Sequence, residues 1–280
     1  MRQETPTSPI PATKTLRRAA LACLLAESPE SKCALTLESA LAWKSGVLGL
    51  AEEVLEVPLL PGRPPRPPLV HPRELAQRSL KTLEGRAALI HAVTHIEFSA
   101  INLAWDAVAR FAGMPRDYYD DWVRVAAEEA AHFRMLQARL QDLGHDYGDF
   151  PAHNGLWYMA QRTADDLLAR MAMVPRVLEA RGLDVTPGMI ARLRQAGDRE
   201  TAELLEIIWR EEIGHVQAGS RWFHHLCALA GQDPEGTYFE LLGQYLDHGI
   251  RCPLHRGARA EAGFSEPELD RLEALCGGYP

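Results

Sequence analysis

Residues 128–132 read Glu128-Glu129-Ala130-Ala131-His132, and residues 211–215 read Glu211-Glu212-Ile213-Gly214-His215. The same phrase, Glu-Glu-x-x-His, thus occurs twice, each time inside a long stretch with helical periodicity. A glutamate and a histidine three residues apart lie on one face of a helix, so both can point at one spot. Two such pairs, each preceded by a lone glutamate on an earlier helix, form the ligand set of a carboxylate-bridged two-metal site in a four-helix bundle.

The spacing around the two phrases repeats. His132 and His215 are 83 residues apart, and so are Glu129 and Glu212. Stepping back 32 residues from Glu129 reaches Glu97, and stepping back 33 from Glu212 reaches Glu179. The candidate metal ligands are therefore Glu97, Glu129, His132, Glu179, Glu212 and His215. Glu97 lies in a mostly apolar helix, with Val93 and Ile101 one turn either side. A carboxylate buried there without a partner is costly. Glu129 shares its face with Val125 and Trp122, and Glu212 with Ile208 and Leu205. Four carboxylates gathered without cations repel one another and stay protonated. Two metal ions remove that penalty. Carboxylate and imidazole donors suit iron and manganese, and the lack of thiolates argues against a structural zinc site. Glu129 and Glu212 are read as bridging, Glu97 and Glu179 as terminal. Glu128, Glu211, Asp198 and Glu206 are candidates to hold the histidines' other ring nitrogens. Glu179 is the weakest member, because Pro175 should distort its helix. Glu203 or Glu206 would replace it if that helix is short.

Further out, strand signals are nearly absent and the fold class is all-α. Four long helices are expected at about 84–112, 116–143, 155–181 and 198–229, with a short helix near 188–196 and two small ones at about 236–247 and 266–276. Gly144 to Asn154 reads as non-helical. Eleven extended residues reach roughly 36–40 Å, just enough to cross the length of a bundle. An N-terminal helical region is expected over about 15–56, broken near Ser28-Pro29. Proline forbids helix from Pro58 to Pro72. The expected organisation is an N-terminal helical extension (1–57), a proline-rich linker (58–72), the main body (73–250) and a C-terminal extension packed on it (251–280).

The 280 residues carry a net charge of −8, with no dominant basic stripe, which argues against a nucleic-acid partner. No apolar run approaches the roughly 18–20 residues of a membrane span, and the N-terminus lacks the order of a signal peptide. Five scattered cysteines without a Cys-x-x-Cys spacing are read as buried or idle thiols, and a cytoplasmic location is expected. His91 and His95 do not share Glu97's face and are assigned hydrogen-bonding roles; His224 and His225 are not assigned to the metal. Trp105, Trp122, Trp157, Trp209 and Trp222 are read as packing, with Trp209 one turn from Glu212. Tyr118 and Tyr119 are not read as radical sites. The basic run Arg251 to Arg259 is read as a solvated loop.

Four blocks carry a resemblance: His95-Ile96-Glu97-Phe98-Ser99-Ala100, Glu128 to Phe133, Val174 to Asp184, and Glu211 to Val216. With these in view the chain looks like an uncharacterised bacterial family, a domain of unknown function, within the ferritin-like di-iron superfamily. The similarity covers roughly residues 80–265. It implies a ferritin-like four-helix bundle with additional N- and C-terminal helices, and two bound metal ions, Fe/Fe or Mn/Fe. It implies no substrate. The leading expectation is an O2-dependent oxidase or oxygenase acting on an unknown small molecule, served by an electron donor and compatible with a homodimer. The alternatives are a ferroxidase or iron-handling protein, and a metal-stabilised binding scaffold without enzymatic activity. Similarity to ferroxidases, rubrerythrins and tRNA hydroxylases is at the level of fold alone.

Overall fold

The computed structural model describes residues 15–276 except Glu52, Gln77, Asp247 and His248. The parts of the expected terminal extensions at 1–14 and 277–280 lie outside the described residues. Among those described there is no strand, only three isolated bridges, and the regular structure is all helical.

Two short helices come first, α1 (Leu16–Leu25) and α2 (Pro29–Lys44). Ser28 caps α2 by accepting from the Ser31 amide, and Pro29 stands where a missing N–H costs nothing. The N-terminal helical region therefore stops at Lys44 and does not run on to 56. Both helices pack on the main body, α1 against α3 and α2 against α4. Buried polar groups fix the contact. Arg17 donates twice to the Ala109 carbonyl at the end of α3, and the Trp105 indole donates to Thr36 Oγ1 at 2.8 Å. The proline-rich strap that follows is non-helical, as proline dictates. It is tied down by the Gly62 amide on Leu24 O and by the Trp157 indole on Leu59 O.

The main body has four helical rods. The first two are α3 (Leu83–Arg110) and α4 (Arg116–Asp142). The third is composite: α5 (Gly155–Arg162), α6 (Leu167–Met173), a π-turn (Val174–Glu179) and α7 (Ala180–Gln195). The fourth is α8 (Arg199–Ala230). Rod one packs on rod two, the α6–π–α7 rod on α8, and α4 on α8. Asp198 caps α8 by accepting from the Thr201 amide at 3.1 Å, and Gly231 ends it at φ 64, where a side chain would be strained. Three helices close the chain: α9 (Pro234–Tyr245), α10 (Arg256–Glu261) and α11 (Glu266–Ala274). The helix α3 is long and apolar enough by composition to cross a membrane, but 72% of its most apolar window is buried inside the fold.

The third rod departs most from the sequence reading. Its helix does not end at Gly182; it continues through Pro187 to Gln195 and absorbs the short helix expected near 188–196. The missing proline N–H leaves the Leu183 carbonyl without its helical donor. The Trp209 indole supplies the replacement, donating to Leu183 O at 3.0 Å. Pro175 acts differently. It cannot bond to the carbonyl four residues back, and the helix relaxes into the π-turn, closed by the Ala180 amide on Pro175 O.

Two further expectations are corrected. Cys252 and Cys276 are joined by a disulfide with Cα atoms 5.7 Å apart, so only Cys23, Cys33 and Cys227 are free and buried. The cysteines therefore no longer speak for a reducing compartment. The run Arg251 to Arg259 is no solvated loop: Arg256 opens α10 and pairs with Glu266, Asp270 and Glu273, while buried Arg259 forks onto Asp184 at 2.8 and 2.9 Å.

Candidate metal centre

All six candidate side chains come from the four rods. Glu97 lies on α3, Glu129 and His132 on α4, Glu179 on the π-turn, and Glu212 and His215 on α8. Single-atom donors from Glu97, Glu129, His132 and Glu212 lie within 4.8 Å of one another and can hold a metal ion. Glu129 occupies the middle. Its Oε2 is 3.5 Å from His132 Nδ1, and its Oε1 is 2.9 Å from His215 Nδ1. His132 Nδ1 is also 3.3 Å from Glu97 Oε2, and His215 Nδ1 is 3.6 Å from Glu212 Oε2. Glu203 is exposed and Glu206 pairs with Arg194 on the surface, so neither substitutes for Glu179.

The distorted turn explains how Glu179 faces inward. An α-helix advances about 100° per residue, so residue i+7 nearly repeats the direction of residue i. In an unbroken helix Leu178 would repeat the direction of fully buried Met171. The extra residue of the π-turn hands that direction to Glu179.

The histidines are held from behind in a crossed pattern. His132 Nε2 meets Glu211 Oε2 at 2.6 Å, and His215 Nε2 meets Glu128 Oε2 at 2.7 Å. Each motif's first glutamate thus holds the histidine of the other motif, and Arg124 steadies Glu128 at 2.9 Å. A partner on Nε2 leaves Nδ1 as the inward donor on both rings. Glu128 and Glu211 serve here as expected; Asp198 does not, being engaged with Arg139 and Thr201 at the start of α8.

The inward atoms are those a cation would satisfy. Glu97 Oε2, both oxygens of Glu129, His132 Nδ1, Glu179 Oε2 and His215 Nδ1 are buried with no hydrogen-bond partner. Unpaired polar atoms in such number at one place are costly unless something else binds them. Without metal the cluster compensates by protonation. Burial drives the carboxyl pKa values of Glu97, Glu212 and Glu179 upward, reinforced by neighbouring carboxylates, and Glu179 reaches about 8. Burial would lower His132, but Glu129 and Glu97 overcome it and lift the ring to about 11. His215 is raised in the same way against burial, by Glu212 and Glu129. Glu129 alone is held well below the usual range, despite burial, because the two rings face it.

These shifts predict a pH dependence with a definite sign. At pH 7 metal-free His132 and Glu179 each carry a proton that ligation must expel. Metal affinity is expected to rise with pH, and loading at pH 7 to release protons from both groups. Calorimetric titration with Mn(II) in buffers of differing ionisation enthalpy reads that release; a buffer-independent heat would contradict the assignment.

The two sides of the centre differ. Glu97, Glu129, His132 and His215 are sealed from solvent, whereas Glu212 keeps 15% of its side chain exposed and Glu179 is half-buried. His91, His95, Tyr118 and Tyr119 make structural hydrogen bonds. His91 Nε2 accepts from the Gly148 amide, and His95 Nδ1 pairs with the Tyr147 hydroxyl. Tyr118 and Tyr119 donate to carbonyls of Ala107 and Phe111 at the end of α3.

Residues 25–270, which contain every ligand candidate, match the family described as "Protein of unknown function (DUF455)". The chain belongs to this family. The match reaches beyond the 80–265 of the sequence resemblance and takes in α2 and the first part of α11. A protein from Haemophilus influenzae described as "Uncharacterized protein" is 46% identical over 214 residues, covering 74% of each chain. No solved structure matches.

Proposed function

We propose that this DUF455 protein is a ferritin-like di-metal carboxylate protein, loaded with Fe/Fe or Mn/Fe, that uses O2 to oxidise or oxygenate a small organic substrate. The observation that carries the reading is the convergence of unpartnered carboxylate oxygens and two Nδ1 atoms on Glu129, with both Nε2 atoms occupied from behind. Helix pairing supports the ferritin-like part: a lone glutamate on the first rod of each pair and Glu-x-x-His on the second is the di-metal template.

Glu97 and His132 would hold one ion, and Glu179 and His215 the other, with Glu129 and Glu212 reaching both. Redox-active ions held there would supply electron storage and oxygen activation that protein side chains lack. The chain's own residues provide the rest. Buried Glu97 and His132 exclude water from one side, while the partial exposure of Glu212 leaves an approach on the other. Glu211 and Glu128 fix the ring planes and place an acceptor for each Nε2 proton at the protein surface, where Glu211 is 46% exposed.

Iron handling is the second reading, favoured by the accessible Glu212 side, through which ions can exchange. Oxygen consumption separates the readings. Metal-free protein is loaded anaerobically with Fe(II) at two equivalents, then at a large excess, and mixed with O2. The oxidase reading predicts one fast oxidation of the first two equivalents and no further uptake until a reductant is added. Continued oxidation of excess Fe(II) points to iron handling. Retained iron with no oxygen uptake contradicts both and leaves a metal-stabilised scaffold.

A further inference from the structure

We infer that Arg176 is a positioning residue for the metal centre: caged by three aromatic rings and ion-paired to Glu268 of α11, it locks the π-turn that aims Glu179 inward. The ligand role of Glu179 rests on the proposed function, but the locking of the turn does not.

Arg176 is fully buried in the middle of the π-turn. Its guanidinium carbon lies 4.7 Å from the ring centre of Phe223, 4.2 Å from Tyr238 and 4.5 Å from Phe264. Its Nη2 donates to Glu268 Oε1 at 2.7 Å, and its backbone carbonyl accepts from the Tyr238 hydroxyl at 3.1 Å. Nε and Nη1 find no acceptor, so the ring faces and one carboxylate are the charge's surroundings. Glu268 is itself immobilised, because its other oxygen accepts from the Ser265 amide and caps α11. The turn is also gripped from α8. A Cβ added at Gly219 would fall 2.2 Å from Pro175 Cγ, so the proline ring packs directly on the α8 backbone with no room for a side chain.

Stability alone does not explain this arrangement. Replacing a buried ion pair by apolar residues of similar volume is often neutral or stabilising. What the pair does provide is direction. Arg176 points toward the C-terminal helices while Glu179, three residues on, faces the other rods. A slip of the turn by one residue would undo both placements together. The C-terminal segment thus reaches the metal centre through the Arg176 side chain and the Tyr238 hydroxyl on the Arg176 carbonyl.

The test uses the full chain, freed of metal, and Co(II) as the probe. Arg176→Met/Glu268→Met keeps the volume and removes the charges. It is expected to fold with near wild-type stability, keep one tight Co(II), and bind the second about 10- to 100-fold more weakly, the range seen when groups supporting a ligand are removed. Glu179→Gln should show the same loss, and combining the changes should add little. Folded double variant with two wild-type cobalt affinities overturns the inference. Should the double variant fail to fold, Glu268→Gln decides, with weakened second binding supporting and unchanged binding overturning. If wild type binds no Co(II), the proposed function fails, and hydrogen exchange in metal-free protein decides the rest. Amides 174–180 are then expected to exchange about tenfold faster in the variant while α3 and α4 keep their protection; unchanged exchange overturns the lock.

Discussion

Glu129→Gln is expected to abolish binding of both metal ions, the largest functional effect of any single change in this protein. Glu129 is the one side chain that approaches both Nδ1 atoms, at 3.5 and 2.9 Å, and neither of its oxygens has a hydrogen-bond partner. The amide keeps the volume but replaces a charged oxygen with an NH2 group, which cannot ligate a cation and repels it. Groups that merely support a ligand are worth about 10- to 100-fold in affinity, so a shared ligand should exceed about 100-fold. Glu97→Gln, by contrast, should weaken one ion and spare its neighbour. Equilibrium dialysis against Mn(II) reads both variants. Wild-type stoichiometry in Glu129→Gln would show that the centre is organised around another group.

The largest effect on stability is expected from Asp106→Ala, away from the ligands. Asp106 is fully buried on α3, and its carboxylate binds Arg110 Nη2 at 2.7 Å and, still more closely, Arg170 Nη1. Arg170 is buried too, and its remaining donors reach Thr163 Oγ1 at 2.8 Å and Ala160 O at 2.6 Å. It thereby ties the α5–α6 corner to α3, one turn before the π-turn. Removing the carboxylate strands a buried cation, and breaking such a pair costs about 3–5 kcal/mol. The retained bonds to Thr163 and Ala160 place the expected loss near about 3 kcal/mol. It should appear as a lower urea midpoint with unchanged slope. A loss below about 1 kcal/mol, as for an exposed pair, would mean that water reaches Arg170.

The grouping of Glu97, Glu129, His132 and Glu212 was legible because its signal is local. Glu-x-x-His is defined within one helical turn, and its duplication at a fixed spacing led back to Glu97 and Glu179 without any knowledge of packing. The bounds of α3, α4 and α8 followed from Pro115, Gly144, Asp198 and Gly231, each acting on its own backbone. The third rod was illegible for the opposite reason. Whether Pro187 ends a helix depended on Trp209, which supplies the donor that proline lacks. Pro175 announced a distortion, but periodicity does not reveal that the helix gains a residue and so turns Glu179 Oε2 inward. The Cys252–Cys276 bond and the Arg259–Asp184 fork were likewise invisible, since both join segments distant in sequence. The crossing of Glu128 and Glu211 was half legible: their service to the histidines followed from position, their exchange between motifs only from the packing of α4 on α8.

Anomalous diffraction at the manganese edge, from crystals of metal-free protein soaked in Mn(II), tests the central claim most directly. Two peaks are predicted, one within ligand distance of Glu97, Glu129, Glu212 and His132 Nδ1, the other of Glu129, Glu179, Glu212 and His215 Nδ1. A single peak, none, or peaks confined to surface carboxylates would contradict it.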